Sequence, residues 1–158
     1  MFSRGLVRAP LVCTGSRQIT VPPYQASDFI TAAKLGHFTD RNFDFAAKLF
    51  GQEPVGLERG ISIDLIYFNR PDWFKHEVVA WAKDNGRQFI EMRHTMGIAI
   101  GLPELLAQQY IFDFSCIKDG YALALGGHYG HRYMECRRVT EECRHDWWHR
   151  CTVGFLSK

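Results

Sequence analysis

Cysteine, histidine and glutamate crowd towards the carboxyl end of the chain. The stretch 132–151, RYMECRRVTEECRHDWWHRC, holds three of the five cysteines and two of the seven histidines. His145 and His149 stand four apart, and Glu142 precedes His145 by three. Residues at those steps share a helix face, so Glu142, His145 and His149 form a candidate metal site for zinc or iron. Cys143 and Cys151 point away from that face, so a second element, with His128 or His131, would have to complete the coordination. The same spacing also suits two exposed histidines near a helix carboxyl end, where imidazolium is favoured. Thiol chemistry is the other alternative. On a helix Cys136 and Cys143 lie about 10 Å apart, beyond disulfide reach. Buried thiols are expected there, with bridges to Cys116 or to another chain left open.

The elements that must position these groups are mostly helical in pattern. No Gly or Pro interrupts 132–151, which predicts a helix of roughly 30 Å. Tyr133, Cys136, Cys143, Trp147 and Cys151 fall on one stripe of it, together with Thr140. That stripe reads as an interface, buried against the rest of the chain or against a partner. Ser27 is a candidate cap for a helix through Leu35, and Thr39 for one burying Phe43, Ala46, Ala47 and Phe50. Residues 61–68, ISIDLIYF, alternate as a strand does, and with no comparable run elsewhere its pairing partner is sought on another polypeptide. Further helices are predicted after Pro71, over 87–100 and over 104–114, with a turn at Lys118-Asp119-Gly120. Pro103, Glu104, Gln108, Gln109 and Asp113 make 95–117 a buried helix, at most lying against a membrane. The expected fold class is therefore mainly α: a small irregular helical domain with one short strand at 61–68 and a long C-terminal helix at 132–151.

Residues 1–27 differ from the rest. They carry Arg4, Arg8 and Arg17, several hydroxyl side chains and no acid before Asp28. This is the pattern of a mitochondrial transit peptide or of a basic extended arm, which leaves 28–158 as a single domain. Loss of the three arginines takes the formal charge from +2 to −1. Such a near-neutral body is unsuited to nucleic acid. Aromatic residues make up 14% of the chain, a surplus that suggests a surface for a protein partner.

Four comparisons of pattern follow from these residues. The cysteine gaps do not repeat the twin Cys-x9-Cys spacing of helical-hairpin proteins of the intermembrane space. Glu77, Glu91-x-x-His94, Glu104 and Glu142-x-x-His145 resemble the ligand order of di-iron carboxylate four-helix bundles. His145-Asp146-Trp147-Trp148-His149 is similar to the His-Asp-x-x-His signature of a mitochondrial ubiquinone-biosynthesis family, whose motif closes on a Glu twelve residues further on. In type, the chain resembles Cys- and Trp-rich accessory subunits of the respiratory chain, complex I above all. That resemblance implies a non-catalytic subunit at the mitochondrial inner membrane, holding other subunits and no cofactor. The alternative it leaves is a zinc or di-iron protein acting near quinone.

Overall fold

The computed structural model describes residues 9–38, 43–70, 73–128, 131–140 and 151–158. Strand β1 (Cys13–Val21) leads into α1 (Phe29–Leu35), where Asp28 caps the helix by accepting the Thr31 N–H at 2.7 Å. Helix α2 (Phe43–Phe50) turns Ala46 and Phe50 inward. Strand β2 (Ile61–Phe68) is followed by α3 (Lys75–Asp84). The Glu77 carboxylate accepts the Phe74 N–H at 3.0 Å at the start of α3, and Gly86, at φ +62°, lies just past its end. The expected Thr39 cap and Pro71 helix entry lie outside the described residues. Helix α4 (Met92–Gly101) and a 3-10 turn (Pro103–Ala107) come next. Then β3 (Tyr110–Lys118) and β4 (Tyr121–His128) form a hairpin through Asp119 and Gly120, both at positive φ as a two-residue turn demands. Strands β5 (His131–Arg138) and β6 (Cys151–Leu156) follow.

These strands make one six-stranded sheet in the order β1-β2-β6-β3-β4-β5. The β3–β6 contact is parallel and the other four are antiparallel. Strand β6 therefore enters the middle of the sheet, with Leu65 opposite Gly154 on one side and Phe112 opposite Val153 on the other. Alternate residues separate the two faces. Ile63, Leu65, Ile111, Leu123, Leu125 and Met134 point towards α1, α2 and α4 and form one core with them. Phe68, Phe112, Phe114, Ala124, Val153 and Phe155 point the other way and pack under α3 and Trp73.

The mainly α expectation is thus overturned: the protein is a mixed α/β fold organised on a sheet. The expected C-terminal helix is replaced over 131–138 by β5 and over 151–156 by β6. The helix expected over 104–114 is a 3-10 turn followed by a buried strand, and only the second part of 87–100 is helical. Strand β2 is present where expected, but both its neighbours, β1 and β6, belong to this same chain. Ring contacts account for much of the aromatic content on the α3 side, among them Trp73 at 5.2 Å from Phe112 and Phe89 at 5.0 Å from Phe155. Trp81, Phe68 and Phe114 extend that cluster. Among the described residues no helix is long and apolar enough to cross a membrane.

Candidate functional site

Glu142, His145 and His149, the candidate metal ligands, lie outside the described residues, as do Cys143 and Trp147 of the candidate interface. The other three interface residues are dispersed by strand geometry. Tyr133 and Cys136 are three apart on β5, so they leave opposite faces of the sheet. Tyr133 packs with the α3-side core and Cys136 against the helix-side core. Cys151 begins β6 and is 5% exposed within the α3-side core. Two of the glutamates of the di-iron order are separately engaged: Glu77 pairs with Arg70, and Glu91 lies 3.2 Å from Arg93. Among the described residues no group of three or more His, Cys, Asp and Glu is placed to hold a metal ion. Cys116 is a free thiol, pushed up to about 11 by burial and then by the Glu53 carboxylate beside it.

A cleft of about 1220 Å³ opens elsewhere, on the helix side of the β1–β2 end of the sheet. Its walls are the segment 23–27 with Thr31 of α1, the loop 55–61, and Arg93 and His94 at the start of α4. The first two walls meet as a small antiparallel bridge, in which Tyr24 and Leu57 exchange backbone hydrogen bonds of 3.0 Å. The Tyr24 hydroxyl then joins all three. It accepts the Gly56 N–H at 3.1 Å and donates to the Arg93 carbonyl at 2.7 Å. Burial pushes the Tyr24 phenol up, against the opposing pull of the Gly56 N–H and the Arg93 charge.

Helix α4 reaches this position because two of its residues have no side chain. A Cβ on Gly97 would stand 2.6 Å from Val21 Cγ1 and 3.0 Å from the Tyr24 ring. One on Gly101 would stand 2.4 Å from the Pro22 ring. Glycine is a poor helix former, but at these two positions its missing side chain lets α4 lie against the segment leaving β1.

His94 is fixed at the amino end of α4. Its Nδ1 accepts the Glu91 N–H at 2.8 Å, so the ring proton sits on Nε2. That Nε2 is buried with no partner among the described residues. Burial lowers the His94 pKa and the Arg93 charge lowers it further, with Glu91 opposing, so the ring is neutral. One residue on, Thr95 Oγ1 stands 2.7 Å from Asp113 of β3, a carboxyl 1% exposed. Ser115 closes the other side of that carboxyl with its N–H at 2.9 Å and its hydroxyl at 2.5 Å.

Sequence spacing does not single out Tyr24, Arg59 or the role of His94, because the cleft joins segments about thirty residues apart. The local cue is Val21-Pro22-Pro23, a stiff connector. No protein-family model matches the chain, and no curated protein or solved structure is significantly similar to it.

Proposed function

We propose that this chain is a non-catalytic accessory subunit of a mitochondrial inner-membrane respiratory-chain assembly, with complex I the host to test first, and that it binds a small molecule in the cleft beside Tyr24. The cleft carries the reading. A concave site with a few convergent polar groups and perturbed ionisable residues is where a small domain takes a ligand. Binding rather than turnover is favoured because the tyrosine and the histidine there are already committed. Tyr24 holds three walls together and His94 secures the first turn of α4. The mitochondrial setting rests on the acid-free, arginine-bearing residues 1–27.

Native mass spectrometry of the protein isolated from mitochondria tests the binding reading. A retained small-molecule mass is expected, and it should vanish in Ser27→Trp, which fills the cleft from an exposed position. A ligand-free spectrum for the folded wild type would remove the proposal. Native electrophoresis of mitochondria tests the setting: comigration with a respiratory complex is expected, and a free species of about 18 kDa would contradict it.

A further inference from the structure

The charge on the cleft walls narrows the ligand class, given that the cleft is a binding site at all. Among the described residues, the charged side chains lining it are Arg59, Arg93 and Glu58. Two guanidiniums and one carboxylate line it, a second carboxylate, Glu91, lies beside Arg93, and the neighbouring His94 is neutral. Arg59 makes no hydrogen bond or ion pair among the described residues. Arg93 is 45% exposed and holds only an exposed pairing with Glu91 at 3.2 Å, a contact that a better anion can displace at little cost. Both Arg93 and His94 belong to the first turn of a ten-residue helix, whose amino end adds partial positive charge. Behind this wall the buried His94 Nε2–H lacks an acceptor among the described residues. The remaining lining includes Pro23, Ala26, Val55 and Ile61, which offer apolar contact.

We infer that the cleft takes an organic anion with a carboxylate or phosphate head and a short apolar body. The head sits on Arg59, with Arg93 and the start of α4 beside it. Glu58 repels any second negative charge on the ligand, so a single anionic head is favoured. An arginine fork matches either head in two-point geometry.

Octanoate, octyl phosphate and the neutral octanamide are suitable probes, titrated by calorimetry into the full chain. Octanoate or octyl phosphate should bind at least about tenfold more tightly than octanamide, as loss of a charge-assisted hydrogen bond implies. Arg59→Gln should erase that preference, and added salt should weaken it. Arg59 is exposed and makes no pairing among the described residues. Arg59→Gln is therefore expected to melt with the wild type, which separates lost binding from lost folding. Flotation with phosphatidylcholine vesicles, plain or doped with phosphatidylglycerol, distinguishes the source. Selective, Arg59-dependent flotation with doped vesicles identifies a lipid headgroup, and free-probe binding alone identifies a soluble anion. Equal binding of octanoate and octanamide, both lost in Ser27→Trp, would overturn the anionic inference and leave the cleft a binding site. If no probe binds, or Ser27→Trp changes nothing, both readings fall.

Discussion

Thr95 has one hydroxyl proton and two oxygens within reach, the Glu91 carbonyl at 3.3 Å and Asp113 Oδ2 at 2.7 Å. The hydroxyl donates to Asp113 Oδ2, the nearer of the two. Burial raises the Asp113 pKa, and the Thr95 and Ser115 hydrogen bonds only partly oppose it. Above about 3.9 the unfolded chain gives up this proton while the folded chain keeps it, so stability falls with rising pH. The slope is up to about 1.4 kcal/mol per pH unit until the folded group also ionises. A carboxamide in this position can still accept from Ser115 through its oxygen, and its NH2 can donate to Thr95 Oγ1 once the Thr95 hydroxyl turns to the Glu91 carbonyl. Asp113→Asn is therefore expected to be as stable as the wild type in acid and more stable at neutral pH. Urea unfolding between about pH 4 and 8 spans the window in which the unfolded carboxyl is ionised. Parallel pH profiles for the two proteins would refute the assignment.

His94 titrates with the opposite sign. Its folded pKa lies below the unfolded value of about 6.5, so stability is present above that pH and is lost as pH falls through it. Protonation would also place a proton on Nδ1, facing the Glu91 N–H it now accepts. Glutamine at this third helical position can accept the same N–H, as in a capping box. His94→Gln should cost about 1–3 kcal/mol at about pH 8 for lost packing, and the gap from the wild type should narrow below about pH 6. A gap independent of pH would show that the ring is not held neutral.

At the scale of elements, α4 is where local preference and packing conflict. Ala is preferred to Gly inside a helix by about 1 kcal/mol. Against that, a methyl group on Gly97 or Gly101 collides with Val21, Tyr24 or Pro22 at 2.4–3.0 Å, and overpacking costs about 1–3 kcal/mol. The collision should win. Gly101→Ala is expected to be the worse of the two because the Pro22 ring cannot rotate away, and both should lower the urea midpoint. An increase in the midpoint would mean that α4 can slide outward freely.

The same conflict explains what is legible in the chain. Strand β2 is visible because it lies between turns and alternates. Helices α1 and α2 are visible from their apolar steps, although Asp28 rather than Ser27 caps the first. Strand β3 is not: its first five residues are all buried, so the apolar positions, broken only by Asp113, show no alternation. Strand β5 is mistaken for helix because Tyr133 and Cys136 fit a helical step as readily as a strand with two covered faces. The middle position of β6 depends on contacts with residues 61–68 and 110–113, which no local pattern carries. At the cleft, His94 stands out in the sequence only through the Glu-x-x-His spacing. Its actual neighbours are loops far away along the chain.

At the scale of the whole molecule, the sheet is assembled from segments near both ends of the described chain, and that sets where it tolerates loss. Residues 9–12 are already tied to the fold. Arg70 donates to the Ala9 carbonyl at 3.0 Å, Asn69 donates to the Pro10 carbonyl at 3.3 Å, and the Val12 N–H donates to Asn69 at 3.0 Å. Beyond them β1 pairs with β2 along eight residue positions, and Val21 is fully buried. A targeting segment removed in the cell would therefore have to end before Ala9 to leave this architecture whole. Deletion of residues 1–8 is expected to keep a cooperative thermal transition and the cleft. Deletion of 1–27 removes β1, the partner of Gly97 and the tyrosine that joins three walls, so the transition should broaden or vanish and any bound ligand should be lost. Deletion of 151–158 should be worse than either, since it opens the sheet between β2 and β3 and removes Phe155 from the aromatic cluster. Near-ultraviolet circular dichroism reads that ring packing directly. Native-like signals from the chain lacking 1–27 would mean that β1 is an accessory to the sheet and that the cleft is not built on it.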